Sequence, residues 1–310
     1  TPECYARAAF IVHVDIDSGE LGKPTLASKT HLKVHADLRD FLPRLNARLE
    51  SLSATLPDRA GWTAWGKDKL RRYYGARPDQ RVHTSVINPY GFFEEVYSLL
   101  PDDDIVVCAN GAAFIMTAHT ARLRPGQRSF YTSGCASMGS ALPAPTGPPT
   151  AAAGTRRVIC FAGEGSLQMN VQELQTLKHT GLNVIIIVIN NGGYLSIRTT
   201  QEGFFGFKVG ESAATGVSFP EFTRVADAYG IPAVRITSTD FQSPLKAALG
   251  KDGPLIVEVL VDPAQKFEPR LASKQLPGGK IVSPPLEDMF PHIPEDEMKQ
   301  CLLIPPVRYD

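Results

Sequence analysis

The chain has 310 residues, of which 43% are hydrophobic, and its 32 basic residues are balanced by 32 acidic ones. This length can bury one or two substantial cores, and the neutral charge argues against nucleic acid or an anionic membrane surface as a partner. Five scattered cysteines without disulfide or zinc spacing, no signal peptide and no apolar run long enough to span a membrane predict a cytoplasmic protein.

The first predicted elements form a short β-α piece at residues 1–55. An apolar run predicts a buried strand at 10–17, and helical spacing predicts a helix at 38–45 that Pro43 is expected to bend. This piece is too small for a complete core of its own. The charged and aromatic stretch at 56–85 is interpreted as a linker that contains a surface helix.

Residues 86–262 alternate β-branched apolar runs with helical patterns, which predicts an α/β domain with a parallel six-stranded sheet and helices on both faces. Prolines at 145, 148 and 149 are expected to shorten or break the helix that follows Gly139, because an interior proline costs a helix roughly 3 kcal/mol. Nine prolines within 263–310 predict a draped tail rather than a domain. The predicted strands are 104–109, 128–132, 157–162, 183–189, 233–237 and 255–261.

Two motifs directly follow two of these predicted strands. Gly163-Glu164-Gly165-Ser166 follows the strand at 157–162, and Asn190-Asn191-Gly192-Gly193-Tyr194 follows the strand at 183–189. Apolar residues at 171, 174 and 177 predict a helix between the motifs, over 170–179. Open α/β sheets bind ligands at the carboxyl ends of their strands. Carboxylate, amide and carbonyl oxygens suit magnesium, whereas glycines beside a helix N-terminus suit a phosphate.

This spacing resembles the thiamine diphosphate (ThDP) motif, in which Gly-Asp-Gly-Ser leads through a helix to Asn-Asn. Nearly the whole chain resembles the C-terminal half of the acetolactate-synthase-like family of ThDP enzymes. Residues 1–55 resemble the C-terminal piece of that family's central α/β domain, and residues 86–262 its diphosphate-binding domain. Segments 166–170, 191–198 and 274–288 are similar to the sugar-modifying branch of that family, of the yersiniose type that transfers an acetyl unit. A dinucleotide-binding fingerprint would need glycine at position 168, where this chain has Gln168.

The resemblance implies a role for each motif residue. The metal ligands would be the side chains of Glu164 and Asn191 and the backbone carbonyl of Gly193. Glutamate stands at 164 where the family has aspartate, so the added methylene is expected to weaken magnesium binding, which demands near-ideal geometry. The implied cofactor contacts are Asn110, Gly111, Ala112, Ala113, Ala136, Met138, Gly163, Gly165, Ser166, Tyr194 and Leu195.

Two residues are implied to act at the reacting centre. Met138 would wedge between the two rings of the cofactor, while the carbonyl of Ala136 and the N–H of Met138 would bind the aminopyrimidine edge; the alternative is that Met138 only fills a gap in a core. Ile197 lies six residues after Asn191, where pyruvate decarboxylases of similar fold carry a carboxylate. An aliphatic side chain there favours transfer of the two-carbon unit over release of aldehyde.

The implied activity is ThDP- and Mg²⁺-dependent decarboxylation of a 2-keto acid, pyruvate, with transfer of the two-carbon acyl-anion unit to a carbonyl acceptor. A nucleotide-linked keto-deoxysugar is the expected acceptor, and a second pyruvate, as in acetolactate synthase, is the alternative. FAD is a further cofactor that the resemblance allows in the assembled enzyme, on the central domain.

The family's activating glutamate lies in an N-terminal pyrimidine-binding half, which residues 1–310 do not resemble. We expect that half to come from a separate chain, a cleaved piece or a segment before Thr1, since the first methionine is Met116. A homo- or hetero-oligomer is therefore expected. Two alternatives stay open: a non-catalytic subunit with the ThDP fold, and a nucleotide- or flavin-binding α/β module.

Overall fold

The computed structural model describes residues 4–152, 154–276 and 278–307, and the chain divides into two compact units. The larger unit spans Tyr73–Phe267, and the smaller one combines the residues before 73 with those after 267. None of the described helices has the length and apolarity needed to cross a membrane.

The smaller unit starts with a two-stranded parallel sheet. Strand β1 pairs with β2 in a register that runs from Val12 opposite Leu32 to Asp15 opposite His35. Up to the boundary between the units, the elements are β1 (Val12–Asp15), α1 (Ser18–Gly22), α2 (Pro24–Ala27), β2 (Leu32–His35), α3 (Leu38–Ser51) and α4 (Ala60–Tyr73).

The prediction of a buried strand at 10–17 is wrong. The strand covers only 12–15, and the flanking Phe10 and Ile16 are 70% and 64% exposed. Among the described residues β1 pairs with β2 alone, and a two-stranded sheet covers little apolar surface. Helix α3 is longer than the predicted 38–45 and keeps Pro43 inside it; its first turn is capped by Asp37.

The larger unit carries the predicted alternation of strands and helices. Its elements are α5 (Pro89–Leu99), β3 (Ile105–Cys108), α6 (Ala112–Thr120), β4 (Arg128–Tyr131), α7 (Gly147–Ala151), β5 (Val158–Gly163), α8 (Glu164–Met169), α9 (Glu173–Thr180), β6 (Val184–Asn190), α10 (Leu195–Phe204), α11 (Phe222–Ala228), β7 (Ala233–Ile236), α12 (Gln242–Leu249) and β8 (Leu255–Leu260).

The six strands form one parallel sheet in the order β4-β3-β5-β6-β8-β7, which confirms the predicted fold class. Strands β3, β5, β6 and β8 are almost wholly buried, whereas the edge strands β4 and β7 are partly exposed. Central parallel strands are covered on both faces, so they are apolar without alternation. Their uninterrupted apolar runs therefore allow these strands to be predicted from the sequence.

The helix between the two motifs differs from the prediction of one helix over 170–179. Helix α8 begins directly at Glu164, and the chain leaves helical geometry at Asn170 before α9 begins. Asn170 lies at this break between the two helices, and its Nδ2 donates to the carbonyl of Gly139 at 2.8 Å. As expected from the prolines, the chain after Gly139 forms only the short helix α7.

The remaining elements follow the larger unit in sequence and belong to the smaller one. They are β9 (Lys274–Gln275), β10 (Ile281–Val282) and α13 (Glu295–Cys301). Two ion pairs join this segment to the part of the same unit that precedes residue 73: Arg7 pairs with Glu287 at 2.8 Å, and Arg72 with Glu297 at 3.4 Å. The segment is thus anchored within its own unit by long-range contacts.

We predict that Phe161→Ala lowers the free energy of unfolding by about 3–5 kcal/mol, because the deletion leaves a cavity in a packed core. Phe161 is fully buried on β5, and its ring lies 4.4 Å from that of Phe93 between centroids. Urea unfolding is the measurement. Phe204→Ala is the control, since Phe204 is 83% exposed and its loss should change stability by no more than about 0.5 kcal/mol. Equal effects would contradict this core assignment.

Candidate functional site

The two sequence motifs meet at one edge of the sheet. Strands β3, β5 and β6 are parallel neighbours, so the segments that leave their carboxyl ends lie side by side. In the sheet, β4 lies on one side of β3, and the next strand in the chain, β5, lies on the other side. This reversal of strand order opens a crevice beyond the strand ends, which is where ligands bind in open α/β sheets.

The Glu164 carboxylate links the two motifs. Glu164 is the first residue of α8 and is only 2% exposed. Its Oε1 accepts a hydrogen bond from the backbone N–H of Gly192 at 2.8 Å. The carboxylate therefore reaches from the end of β5 to the loop after β6. The side chain is one methylene longer than the aspartate found at this position of the motif.

Asn191 carries a buried oxygen that the protein does not satisfy. The residue is 5% exposed, and its Oδ1 has no hydrogen-bond partner among the described residues. A buried carbonyl oxygen without a partner costs free energy. Next to a buried carboxylate, such an oxygen is a suitable ligand for a hard cation. The donor set at this strand edge therefore fits the magnesium site expected from the sequence.

Burial sets the electrostatics of Glu164. It raises the pKa of this carboxyl to about 7, and the backbone N–H groups of Glu164, Asn191, Gly192 and Gly193 oppose the shift. A divalent cation bound beside the carboxylate would favour its ionised form and lower the pKa again. The described residues contain no cluster of three or more His, Cys, Asp or Glu that could hold a metal. One carboxylate with neutral oxygens suits magnesium that also binds phosphate.

Gly165 allows three motif residues to meet. A Cβ atom at this position would lie 2.2 Å from Cε1 of Tyr194 and 2.6 Å from Cε of Met138, distances that real side chains do not tolerate. The Gly-Glu-Gly-Ser motif, the Asn-Asn loop and the Met138 segment are thus in direct contact. Met138 is 38% exposed and lies at the crevice, so it does not fill a closed core.

Gly139 ties the Met138 segment to α8. Its backbone N–H donates to Ser166 Oγ at 3.0 Å, and its carbonyl accepts from Asn170 Nδ2. With a φ of +95°, the position favours glycine, and an added Cβ would lie 2.9 Å from Asn170 Nδ2. Within the same segment Ala136 has a φ of +48°, which for a residue with a side chain costs about 1–2 kcal/mol. Contacts elsewhere in the segment, such as those of Gly139, have to offset this cost.

The predicted loop 110–113 also reaches the site. Gly111 has a φ of +60° and precedes α6, and a Cβ there would lie 3.7 Å from Ser196 Oγ at the start of α10. Asn110 and Ala112 are half-buried, and Ala113 is buried. The structure therefore brings this loop beside the first turn of α10, which begins at Leu195. Ile197 lies in the same turn and is 42% exposed.

Sequence reasoning assigned no role to two residues that support the Asn191 loop, Asn190 and Glu258. Asn190 Nδ2 donates to Glu258 Oε1 at 2.7 Å, and Asn190 Oδ1 accepts from the N–H of Gly192 at 3.0 Å. Glu258 is fully buried in β8 and also lies 3.4 Å from Arg235 Nε. A charged residue inside an apolar strand is the sequence signal that could have identified this contact.

Residues 109–259 match the family described as thiamine pyrophosphate enzyme, C-terminal TPP binding domain, where TPP is another name for ThDP. This stretch contains β4, β5, β6, β7 and all of β8 except its last residue, together with every motif residue described above, and it begins directly after β3. The whole of the matched stretch lies within the larger unit, which is therefore similar to the TPP-binding domain of ThDP enzymes.

Acetolactate synthases are among the relatives of this chain. It is 30% identical to the large subunit of acetolactate synthase isozyme 1 of Escherichia coli K12 over 86% of its length, and 29% identical to that of isozyme 2. A probable acetolactate synthase 2 of rice is 29% identical over 87% of the chain. These matches cover 42–45% of each relative, so the chain spans less than half of their length. They support the acetolactate-synthase-like family.

We predict that Gly193→Ala lowers stability by about 1–3 kcal/mol, the usual cost of forcing an atom into packed space. A Cβ at Gly193 would lie 2.1 Å from the carbonyl oxygen of Glu211. Gly203→Ala is the control, because an added Cβ there meets nothing within 4 Å. Thermal or urea unfolding compares the variants, and full stability of Gly193→Ala would show that this loop is packed differently.

The raised pKa of Glu164 predicts a pH-dependent loss of stability in the metal-free protein. A carboxyl whose pKa rises from 4.5 to about 7 on folding contributes stability that is complete below pH 4.5 and lost as the pH rises through 7. Glu164→Gln, which cannot ionise, should gain on the order of 3 kcal/mol over wild type between pH 4.5 and 8. Urea unfolding at both pH values measures this, and a difference that does not change with pH would contradict the burial of an ionisable carboxyl.

Proposed function

We propose that this chain is the diphosphate-binding half of a ThDP- and Mg²⁺-dependent carboligase. The observation that carries the proposal is the unpartnered, buried Oδ1 of Asn191, in the loop whose backbone N–H groups face the buried carboxylate of Glu164. Glu164, Asn191 and the Gly193 carbonyl would hold the cation, and the cation would hold the diphosphate. The cofactor would supply the electron sink for loss of carbon dioxide from a 2-keto acid such as pyruvate.

The remaining residues would bind and orient the cofactor. Loop 110–113 and the start of α8, Gly163 to Ser166, would surround the diphosphate. Met138, in contact with the Gly165 backbone region, would support the bent shape of the cofactor, and Ala136 would bind the pyrimidine edge. Tyr194 and Leu195 would close the side that faces α10. These roles are supported by the convergence of the motifs in one crevice.

The two-carbon unit would be transferred to a carbonyl acceptor rather than released as aldehyde. Ile197, on the exposed face of α10 beyond Leu195, places no acid next to the crevice that could protonate the unit. We propose a nucleotide-linked keto-deoxysugar as acceptor, on the similarity of segments 166–170, 191–198 and 274–288 to sugar-modifying enzymes. The second candidate, pyruvate as acceptor, is favoured by the acetolactate synthases among the relatives.

The chain would act together with a pyrimidine-binding half in an oligomer. The relatives are more than twice the length of the matched segment, and large apolar side chains such as Phe204 and Phe205 are 83% and 62% exposed. Contiguous exposed apolar groups are typical of interaction surfaces. A non-catalytic subunit would share this fold, so only turnover separates the two roles.

We predict that Glu164→Ala and Asn191→Ala each weaken Mg²⁺-dependent ThDP binding at least tenfold, because each removes an oxygen ligand. Calorimetry on the chain assembled with a pyrimidine-binding half is the measurement. Asp103→Ala is the control: this exposed carboxylate precedes β3, at the opposite end of the sheet. Unchanged affinity in both site variants would reject the cation site.

The reaction is tested by product analysis of the same assembly with pyruvate and either acceptor. A branched sugar as main product would support the proposed acceptor. Acetolactate as main product would support the second candidate and keep the carboligase. Dominant acetaldehyde would contradict carboligation, and ThDP binding without any turnover would favour the non-catalytic subunit.

A further inference from the structure

A buried ion pair lies behind the loop that carries Asn191 and Gly193. Arg198 on α10 donates from Nε to Glu211 Oε2 at 2.6 Å, and the two residues are 9% and 2% exposed. Arg198 Nη1 also donates to the carbonyl of Pro263 at 2.7 Å, and Glu211 Oε1 accepts from Ser212 Oγ. Burying two charges carries a desolvation cost that their attraction often only balances. Net stability is therefore a weak reason for this pair.

The pair is in direct contact with the loop backbone. The carbonyl of Glu211 accepts from the N–H of Tyr194 at 2.8 Å, and the N–H of Arg198 donates to the carbonyl of Tyr194 at 2.9 Å. Gly193 forms an antiparallel bridge with Ser212. A Cβ at Gly193 would lie 2.1 Å from the Glu211 carbonyl oxygen and 2.6 Å from Arg198 Nη2. The position of the loop thus depends on both partners.

We propose that Arg198 and Glu211 are positioning residues for the cation site. Their ion pair fixes the backbone at Gly193 and Tyr194, and through it the geometry in which Asn191 and the Gly193 carbonyl meet a divalent cation held by Glu164. The inference rests on the proposed function and extends it to two residues outside the ligand set. Magnesium-type cations tolerate little deviation from octahedral geometry, so a small displacement of the loop should weaken binding.

The chain contains a matched control for this proposal. Arg157 pairs with Asp104 at 2.7 Å, and their side chains are 14% and 3% exposed. Arg157 directly precedes β5, and Asp104 directly precedes β3, so this pair lies at the amino ends of the strands. The crevice lies at the carboxyl ends. Loss of the control pair should lower stability without affecting the cation site.

The experiment compares Arg198→Met and Glu211→Gln with Arg157→Met and Asp104→Asn, each in the chain assembled with a pyrimidine-binding half. Mn²⁺ with ThDP is the probe: water-proton relaxation gives its affinity, the Mn²⁺ electron paramagnetic resonance spectrum reports ligand geometry, and urea unfolding gives stability. All four variants should be less stable than wild type. Only the Arg198 and Glu211 variants should lose about 10- to 100-fold in affinity, the range seen when groups that orient metal ligands are removed, with an altered spectrum.

The conservative variant Arg198→Lys keeps the positive charge but not the planar set of donors, so an intermediate affinity is expected. If Arg198→Met does not fold, the affinity and spectrum of Arg198→Lys are compared with those of the wild type instead. Wild-type affinity and spectrum in folded Arg198 and Glu211 variants, or an equal loss of affinity in the control pair, would overturn the positioning role. Failure of the wild-type chain, assembled with a pyrimidine-binding half, to bind Mn²⁺ with ThDP would instead contradict the proposed function, and the positioning role with it.

Discussion

The site depends on the burial of one carboxylate where two parallel strands end. A carboxylate that is 2% exposed needs partners, since desolvation disfavours its charge. Glu164 obtains one from the N–H of Gly192, at 2.8 Å, and that contact joins the ends of β5 and β6. Burial still raises the pKa of the carboxyl to about 7, so the protein alone does not fully stabilise the ionised form. A cation bound there, as proposed, would supply the missing charge.

The loop around Asn191 is held by charged groups that lie outside the crevice. Glu258 holds Asn190 from within β8, and the Arg198–Glu211 pair packs against Gly193 and Tyr194. Rigid support of this kind is what a metal site with demanding geometry requires, because small displacements of ligands reduce affinity. On the proposed function, these buried charged residues would serve the cation site.

The smaller unit leaves apolar side chains exposed along one of its helices. Leu38, Leu42, Leu45 and Leu49 follow one another along α3 at spacings of four, three and four residues, and each is 39–50% exposed. Such spacing places them on one face of a helix. Nothing in the described residues buries this stripe, in contrast to the closed core of the larger unit. It supports the proposal that the chain acts within a larger assembly.

The sequence by itself determined the six-stranded parallel sheet, because strands such as β5 and β6, buried on both faces, must be apolar without interruption. It also placed the two motifs at strand ends, since glycine turns directly follow these runs. Only the tertiary structure showed that Phe10 and Ile16 are exposed, because an apolar pattern does not say whether a covering layer exists. It likewise decided that Gly165 meets Met138 and Tyr194, and that Arg198 and Glu211 support the Asn191 loop. Those contacts join segments far apart in the chain, and no local spacing encodes them.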